Sequence, residues 1–142
     1  MRFEVHKTAK KGITVLEPEG ALNENSSGEL EATALEVMEE GGRLIVIDLA
    51  KTSTASSHAF RMLLMLSKKL QSVGGRLVVC GAQSRVDNAL SLSGLKRLCC
   101  VKVDRGDAVK ELMVEDKIVR LAELVAQLLG RSETRRRTLE AV

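Results

Sequence analysis

The chain has 142 residues, enough for one domain with a single core. A formal net charge of +3 is too small to imply a polyanion partner, and Phe3 and Phe60 are the only aromatic residues, so the stacking faces of a single-strand nucleic-acid binder are missing. With 44% hydrophobic and 29% charged residues the composition is that of an ordinary globular protein whose core must be built from Leu, Val, Ile, Met and Ala.

No basic segment followed by an apolar run opens the chain, and no apolar stretch approaches the ~18 residues of a membrane span. The three cysteines are Cys80, Cys99 and Cys100, an odd number with two adjacent, which does not suggest a disulfide framework. A reduced, cytoplasmic setting is expected, with neither membrane nor nucleic acid as partner.

Phe3-Glu4-Val5-His6 alternates as a short strand should, and Ile13-Thr14-Val15-Leu16 follows the turn Lys11-Gly12 as a second. Pro18 and Gly20 are expected to break that pattern. Ser26-Ser27-Gly28-Glu29 has the form of a capping box, in which a hydroxyl and a carboxylate exchange bonds with the first orphan N–H groups of a helix. Leu30, Ala34, Val37 and Met38 then recur at helical spacing until Gly41-Gly42. Leu44-Ile45-Val46-Ile47 is a continuous, β-branched run suited to a strand covered on both faces.

A helix from about Ser57 to Val73 follows, stopped by Gly74-Gly75, and Leu77-Val78-Val79-Cys80 reads as another central strand. Ser84 opens a short helix ending near Gly94, and Cys99 to Val103 is an edge strand. Asp104 or Asp107 begins a helix through Leu112. Strands and helices alternate after residue 25, which implies α/β layering with parallel pairs joined by right-handed crossovers, plus an antiparallel element from the first two strands.

Val114, Ile118, Leu121, Val125 and Leu128 are spaced 4, 3, 4, 3, an a/d seam over two heptads, and Val119, Leu124 and Leu129 widen the stripe. This segment is either a last helix packed on its own domain or a dimer or partner helix. Arg131, Arg135, Arg136 and Arg137 form a basic tail. The expected organisation is a domain over 1–113, an amphipathic helix over 114–130 and a flexible basic tail over 131–142.

The chemistry-bearing stretch runs from Ile47 to Phe60, where a buried strand ends, polar residues follow and a helix begins at Ser56-Ser57-His58. Such a junction presents backbone N–H groups and hydroxyls at one exposed point, where the helix dipole stabilises negative charge. No Gly-rich phosphate loop is present, no Gly-x-Ser-x-Gly elbow occurs, and the two histidines, His6 and His58, lack Cys or carboxylate neighbours at metal-ligand spacing. Ser57 and His58 are adjacent, so on a helix they diverge by about 100° and make a poor nucleophile–base pair. No enzyme activity, metal or cofactor is expected.

Four motifs in order resemble the STAS domain, the fold of bacterial anti-sigma factor antagonists. They are Gly20-Ala21-Leu22-Asn23 after the second strand, Leu44 to Leu49 ending in Asp-Leu, Gly74-Gly75-Arg76-Leu77-Val78-Val79-Cys80-Gly81, and Leu92-Ser93-Gly94-Leu95. The resemblance covers about residues 2 to 112 and implies an α/β fold with a mixed four- to five-stranded sheet, helices packed mainly on one face, and an additional C-terminal helix. The family's Asp-Ser-Ser-Gly signature falls on Ser56-Ser57-His58-Ala59, so His58 stands at the position that the anti-sigma kinase phosphorylates. The family's acidic residue after the second strand is here Asn23.

The resemblance thus implies a regulatory protein-binding module acting by partner switching on an anti-sigma factor, which in this family can be a Ser/Thr kinase, with a degenerate phosphorylation site. Asn23, Ser56, Ser57, His58, Ala59 and Arg61 are the expected partner-binding residues. Three readings of the junction stay open: Ser56 or Ser57 as a plain N-cap, Ser57 or Ser56 as the acceptor in place of His58, or a permanently unphosphorylated binding face. Two other function classes stand beside it: a scaffold or oligomerisation subunit of a stress-signalling assembly, with a homodimer through residues 114–129, and a nucleotide- or anion-binding module using the helix N-terminus at Ser57.

Overall fold

A computed structural model describes residues 3–140, apart from the side chains of residues 115, 116, 119 and 131–140. The chain runs β1 (Glu4–Lys10), β2 (Ile13–Leu22), α1 (Glu24–Glu39), β3 (Leu44–Asp48), β4 (Thr52–Ala55), α2 (Ser57–Ser72), β5 (Arg76–Cys80), α3 (Ser84–Ser93), α4 (Leu95–Leu98), β6 (Cys100–Lys102) and α5 (Arg105–Glu140). It divides into two compact units, Met1–Leu112 and Met113–Val142.

The first unit is a mixed sheet in the order β1-β2-β3-β5-β6, with β4 beside the far half of β2. β1 and β2 form an antiparallel hairpin, and the other pairs are parallel. Lys11 (φ 54°) and Gly12 (φ 78°) make the two-residue turn, both in the left-handed region that hairpin turns of this length require.

β2 does not stop at Pro18 and Gly20, as expected from the breaker residues, but continues to Leu22. Its pairing with β3 ends at Leu16, and its pairing with β4 starts at Gly20. Pro18 therefore lies where no neighbouring strand needs an N–H on that side. Its carbonyl instead accepts the hydroxyl of the buried Thr52 at 2.9 Å. β4 itself, Thr52-Ser53-Thr54-Ala55, has no apolar run to mark it in the sequence; pairing with β2 makes it a strand.

Alternation along the central strands splits the core. Leu16, Ile45, Ile47, Leu77 and Val79 share one hydrophobic cluster with Leu30, Ala34 and Val37 of α1, Leu63, Leu66 and Leu70 of α2, and Val86 and Leu90 of α3. Val46 and Val78 point the other way and are also fully buried, as are Ala108 and Leu112 in the first turns of α5. Helices thus pack mainly on one face, and the start of α5 lies on the second.

Gly75 turns α2 into β5 where a Cβ would collide with the Arg43 carbonyl oxygen, which accepts the Arg76 N–H at 2.7 Å. That close approach is the physical content of the Gly-Gly turn. The helix expected to begin at Asp104 or Asp107 does so at Arg105, and Asp104 accepts the Asp107 N–H at 2.8 Å as its cap. It does not end at Leu112: one helix continues to Glu140, with no Gly or Pro between Leu112 and Gly130 to stop it. The basic residues Arg131 and Arg135 to Arg137 lie on that helix, and their side chains fall outside the described residues. No described helix is long and apolar enough to cross a membrane.

Candidate functional site

The junction owes its shape to the pairing of two strand ends. Leu22, the last residue of β2, lies opposite Ala55, the last of β4, and the Ser56 N–H donates to the Leu22 carbonyl at 2.9 Å. Each strand feeds straight into a helix, so the N-termini of α1 and α2 open side by side at one end of the sheet. Asn23 caps the first and Ser56 the second.

Asn23 Oδ1 accepts from the N–H groups of Asn25 (3.0 Å) and Ser26 (3.1 Å), while Ser26 Oγ accepts the Asn23 N–H at 2.8 Å. This is a capping box three residues earlier than the expected Ser26–Glu29 one. Asn caps as well as Ser does, and a helix starting at Glu24 joins the strand end without a loop. Asn23 is therefore a structural cap as well as an exposed residue of the site.

Ser56 is extended (φ −86°, ψ 165°), and its Oγ accepts the Ala59 N–H at 3.2 Å, a cap worth ~1 kcal/mol. Ser57 is the first residue of α2 and His58 the second; both side chains are exposed and neither forms a hydrogen bond among the described residues. Arg61, one turn further, is exposed as well. Ala59 differs from the others: it is fully buried in the core cluster, so its methyl group packs inward and offers nothing to a partner. The surface that the site presents is Asn23, Ser57, His58 and Arg61, with Ser53 and Thr54 exposed on β4 beside it. The first turn of α2 carries no acidic side chain, which leaves its dipole uncompensated there.

A cavity of about 260 Å³ adjoins the cap, lined by Phe3, Ala21, Asn23, Asn25, Glu29 and Ser53. Phe3 and Glu29, expected only as a strand residue and a capping carboxylate, are brought next to Asn23 by the fold.

Beneath the junction the loop from β3 to β4 is held by charge. Asp48, with its side chain 6% exposed, accepts the Ala50 N–H at 3.0 Å and Arg105 Nε at 2.8 Å; Arg105 Nη2 also reaches Glu17 at 2.7 Å, and Lys51 lies 3.3 Å from the same Glu17 carboxylate. Burial alone would lower the pKa of Arg105, but the Asp48 hydrogen bond and the neighbouring carboxylates outweigh it and raise it. Gln83 Nε2 adds a bond to the Ala50 carbonyl at 2.7 Å.

His6 does have carboxylate neighbours, contrary to the spacing argument. Strand pairing brings Glu19 Oε2 within 2.7 Å of Nε2, and Glu4 lies 3.9 Å away on the same face. The hydrogen bond from His6 holds the Glu19 carboxyl below its ordinary range. Glu4, His6 and Glu19 are the described group with metal-ligand proximity, all exposed on the hairpin and apart from the junction.

The profile of the STAS domain matches residues 4–108. BtrV of Bordetella bronchiseptica, a protein named as a candidate anti-sigma factor antagonist, is 30% identical over 83 residues, which are 58% of this chain and 72% of that protein. Among solved structures, an anti-sigma factor antagonist from Mycobacterium paratuberculosis superposes with a TM-score of 0.72 at 19% identity, over 79% of this chain and 95% of its own. A candidate antagonist from Thermotoga maritima gives 0.72 at 18% identity, over 77% and 94%. At these identities the structural likeness is one of fold.

Proposed function

The chain belongs to the STAS domain family, and from that premise we propose that it binds an anti-sigma factor through the paired helix N-termini and acts by partner switching without chemistry of its own. The observation that carries this reading is the exposed set Asn23, Ser57, His58 and Arg61, held at one end of the sheet by two capped helices. The similarity to BtrV, named as a candidate anti-sigma factor antagonist, supports the same class of partner.

A phosphoryl group at the start of α2 would add about −1.5 to −2 charges against free N–H groups and so change how the face meets its partner. His58, which stands at the family's acceptor position, cannot take that group from a Ser/Thr kinase. Ser57 is the better alternative acceptor, because the Ser56 hydroxyl is engaged by the Ala59 N–H and half-buried. The working form of the site is therefore an unphosphorylated binding face, with Ser57 as its one accessible hydroxyl on α2's first turn.

The test uses purified anti-sigma factors of the host, each titrated calorimetrically against the native chain, His58→Ser and Arg61→Glu. Binding of the native chain that is weakened at least tenfold by Arg61→Glu supports the reading. With a kinase-type anti-sigma factor and Mg-ATP, mass spectrometry should find phosphate on residue 58 only in His58→Ser. Failure of every anti-sigma factor to bind, or binding indifferent to Arg61→Glu, overturns it.

A further inference from the structure

The second unit displays an apolar stripe. Val114, Ile118, Leu121, Leu124, Val125, Leu128 and Leu129 are 47% to 63% exposed along α5. Water contact over so many large aliphatic groups at helical spacing is unfavourable by the usual area relation, and an exposed apolar patch of this kind marks an interaction surface. We propose that the cover is a second copy of this chain, and that α5 forms a parallel, in-register two-stranded coiled coil from Val114 to Leu129.

Three properties of the stripe point to that occupant. The first is residue type. The 4, 3, 4, 3 spacing puts Ile118 and Val125 at a and Val114, Leu121 and Leu128 at d. Both a residues are β-branched and two of the three d residues are Leu, Val114 being the exception, and β-branched a with Leu d is the combination that favours two parallel strands.

The second is the position of the two leucines outside the seam. Leu124 falls at g and Leu129 at e, five residues apart. In a parallel dimer g of one helix faces e of the next heptad on the other, so these two apolar residues meet each other. Lys117, the preceding g residue, faces Ala122 at e and meets no like charge.

The third is area. Covering the seven exposed side chains on both copies removes roughly 1,500 Å² from water, inside the range of specific stable interfaces. The seam is about 24 Å long, and it is carried by a helix that extends beyond it at both ends. A dimer would present two junction faces at once and so raise the effective concentration of the second for any partner that is itself paired. The inference does not depend on the identity of that partner, and its test reads self-association alone.

The experiment is sedimentation equilibrium on the full chain, whose protomer mass is 15.4 kDa. The expected result is twice that mass at concentrations of about 50 μM, above a micromolar dissociation constant. Leu121→Glu with Leu128→Glu should give the protomer mass, with the thermal melt of the first unit retained. Val125→Asn, a milder change at an a position, should leave a dimer that dissociates at about tenfold higher concentration.

Orientation is read from Leu128→Cys in a Cys100→Ser background. A parallel coil brings the two residues 128 together and gives an oxidised dimer, whereas an antiparallel coil centred on Leu121 holds them about 20 Å apart and gives none. A protomer mass for the native chain, a trimer or tetramer, a dimer that survives the paired glutamates, or no cross-link through residue 128 would each overturn the proposal.

Discussion

Arg105 Nε donates to Asp48 Oδ2 at 2.8 Å across 57 positions of sequence, and the same guanidinium reaches Glu17 at 2.7 Å. One side chain at the start of α5 thereby ties β2 to β3 and steadies the turn that leads into β4. Gly81 completes the arrangement, since a Cβ there would collide with Asp48 Oδ1. The junction is thus held from below by a cluster that never touches its surface.

Arg105→Ala should lower stability by about 1–2 kcal/mol, measured by urea unfolding. Asp48 would remain buried with only the Ala50 N–H, and charged hydrogen bonds are worth that much, reduced here because Arg105 is 42% exposed. Arg105→Lys should recover little, as one ammonium cannot serve two carboxylates in the fork geometry. A double-mutant cycle with Asp48→Asn should show coupling near 1 kcal/mol; strict additivity would contradict the tie.

Asn23→Ala should cost ~1 kcal/mol through loss of the α1 cap, which thermal melts would show. Asn23→Asp should keep or slightly raise stability, because the carboxylate caps equally well and interacts favourably with the N-terminal dipole. A melting temperature insensitive to Asn23→Ala would refute the capping role.

Burial, reinforced by the nearby Asp48 carboxylate, pushes the Cys80 thiol up to about 12 from 9.0. Between those values the unfolded chain binds fewer protons than the folded one, so stability falls as pH rises. The contribution is whole below pH 9.0 and lost as the pH approaches about 12. Urea midpoints followed upward from pH 9 should therefore decline more steeply for the native chain than for Cys80→Ala, which lacks the titration. In the native state Cys100, half-buried, should be alkylated before the buried Cys80 and Cys99.

The elements that were legible in the sequence are those whose signal is local. Leu44 to Ile47 and Leu77 to Cys80 are apolar runs that each follow a Gly-Gly pair, and the α2 stripe of Leu63, Leu66 and Leu70 follows helical spacing; each became the element it suggested. Thr52 to Ala55 carried no such signal, because its strand conformation comes from hydrogen bonds to β2 rather than from its own side chains. The same holds for the second half of β2, where Pro18 and Gly20 argued for a break that the changeover from β3 to β4 accommodates.

The site divides in the same way. A serine cap at Ser56 or Ser57 and a helix opening at the Ser57-His58 stretch follow from a polar segment before an amphipathic helix; the fold assigned the cap to Ser56. That Ala59 faces the core, that Asn23 is the α1 cap beside them, and that His6 meets Glu19 depend on helix phase, on a helix start three residues early, and on strand register. Residue order alone determined the central strands β3 and β5, the helices α1 and α2 and the heptad spacing on α5, because propensity and periodicity act over a few residues. The tertiary structure decided which ends meet and which charges pair, as with Asp48 and Arg105, because those interactions require parts of the chain that only the folded sheet brings together.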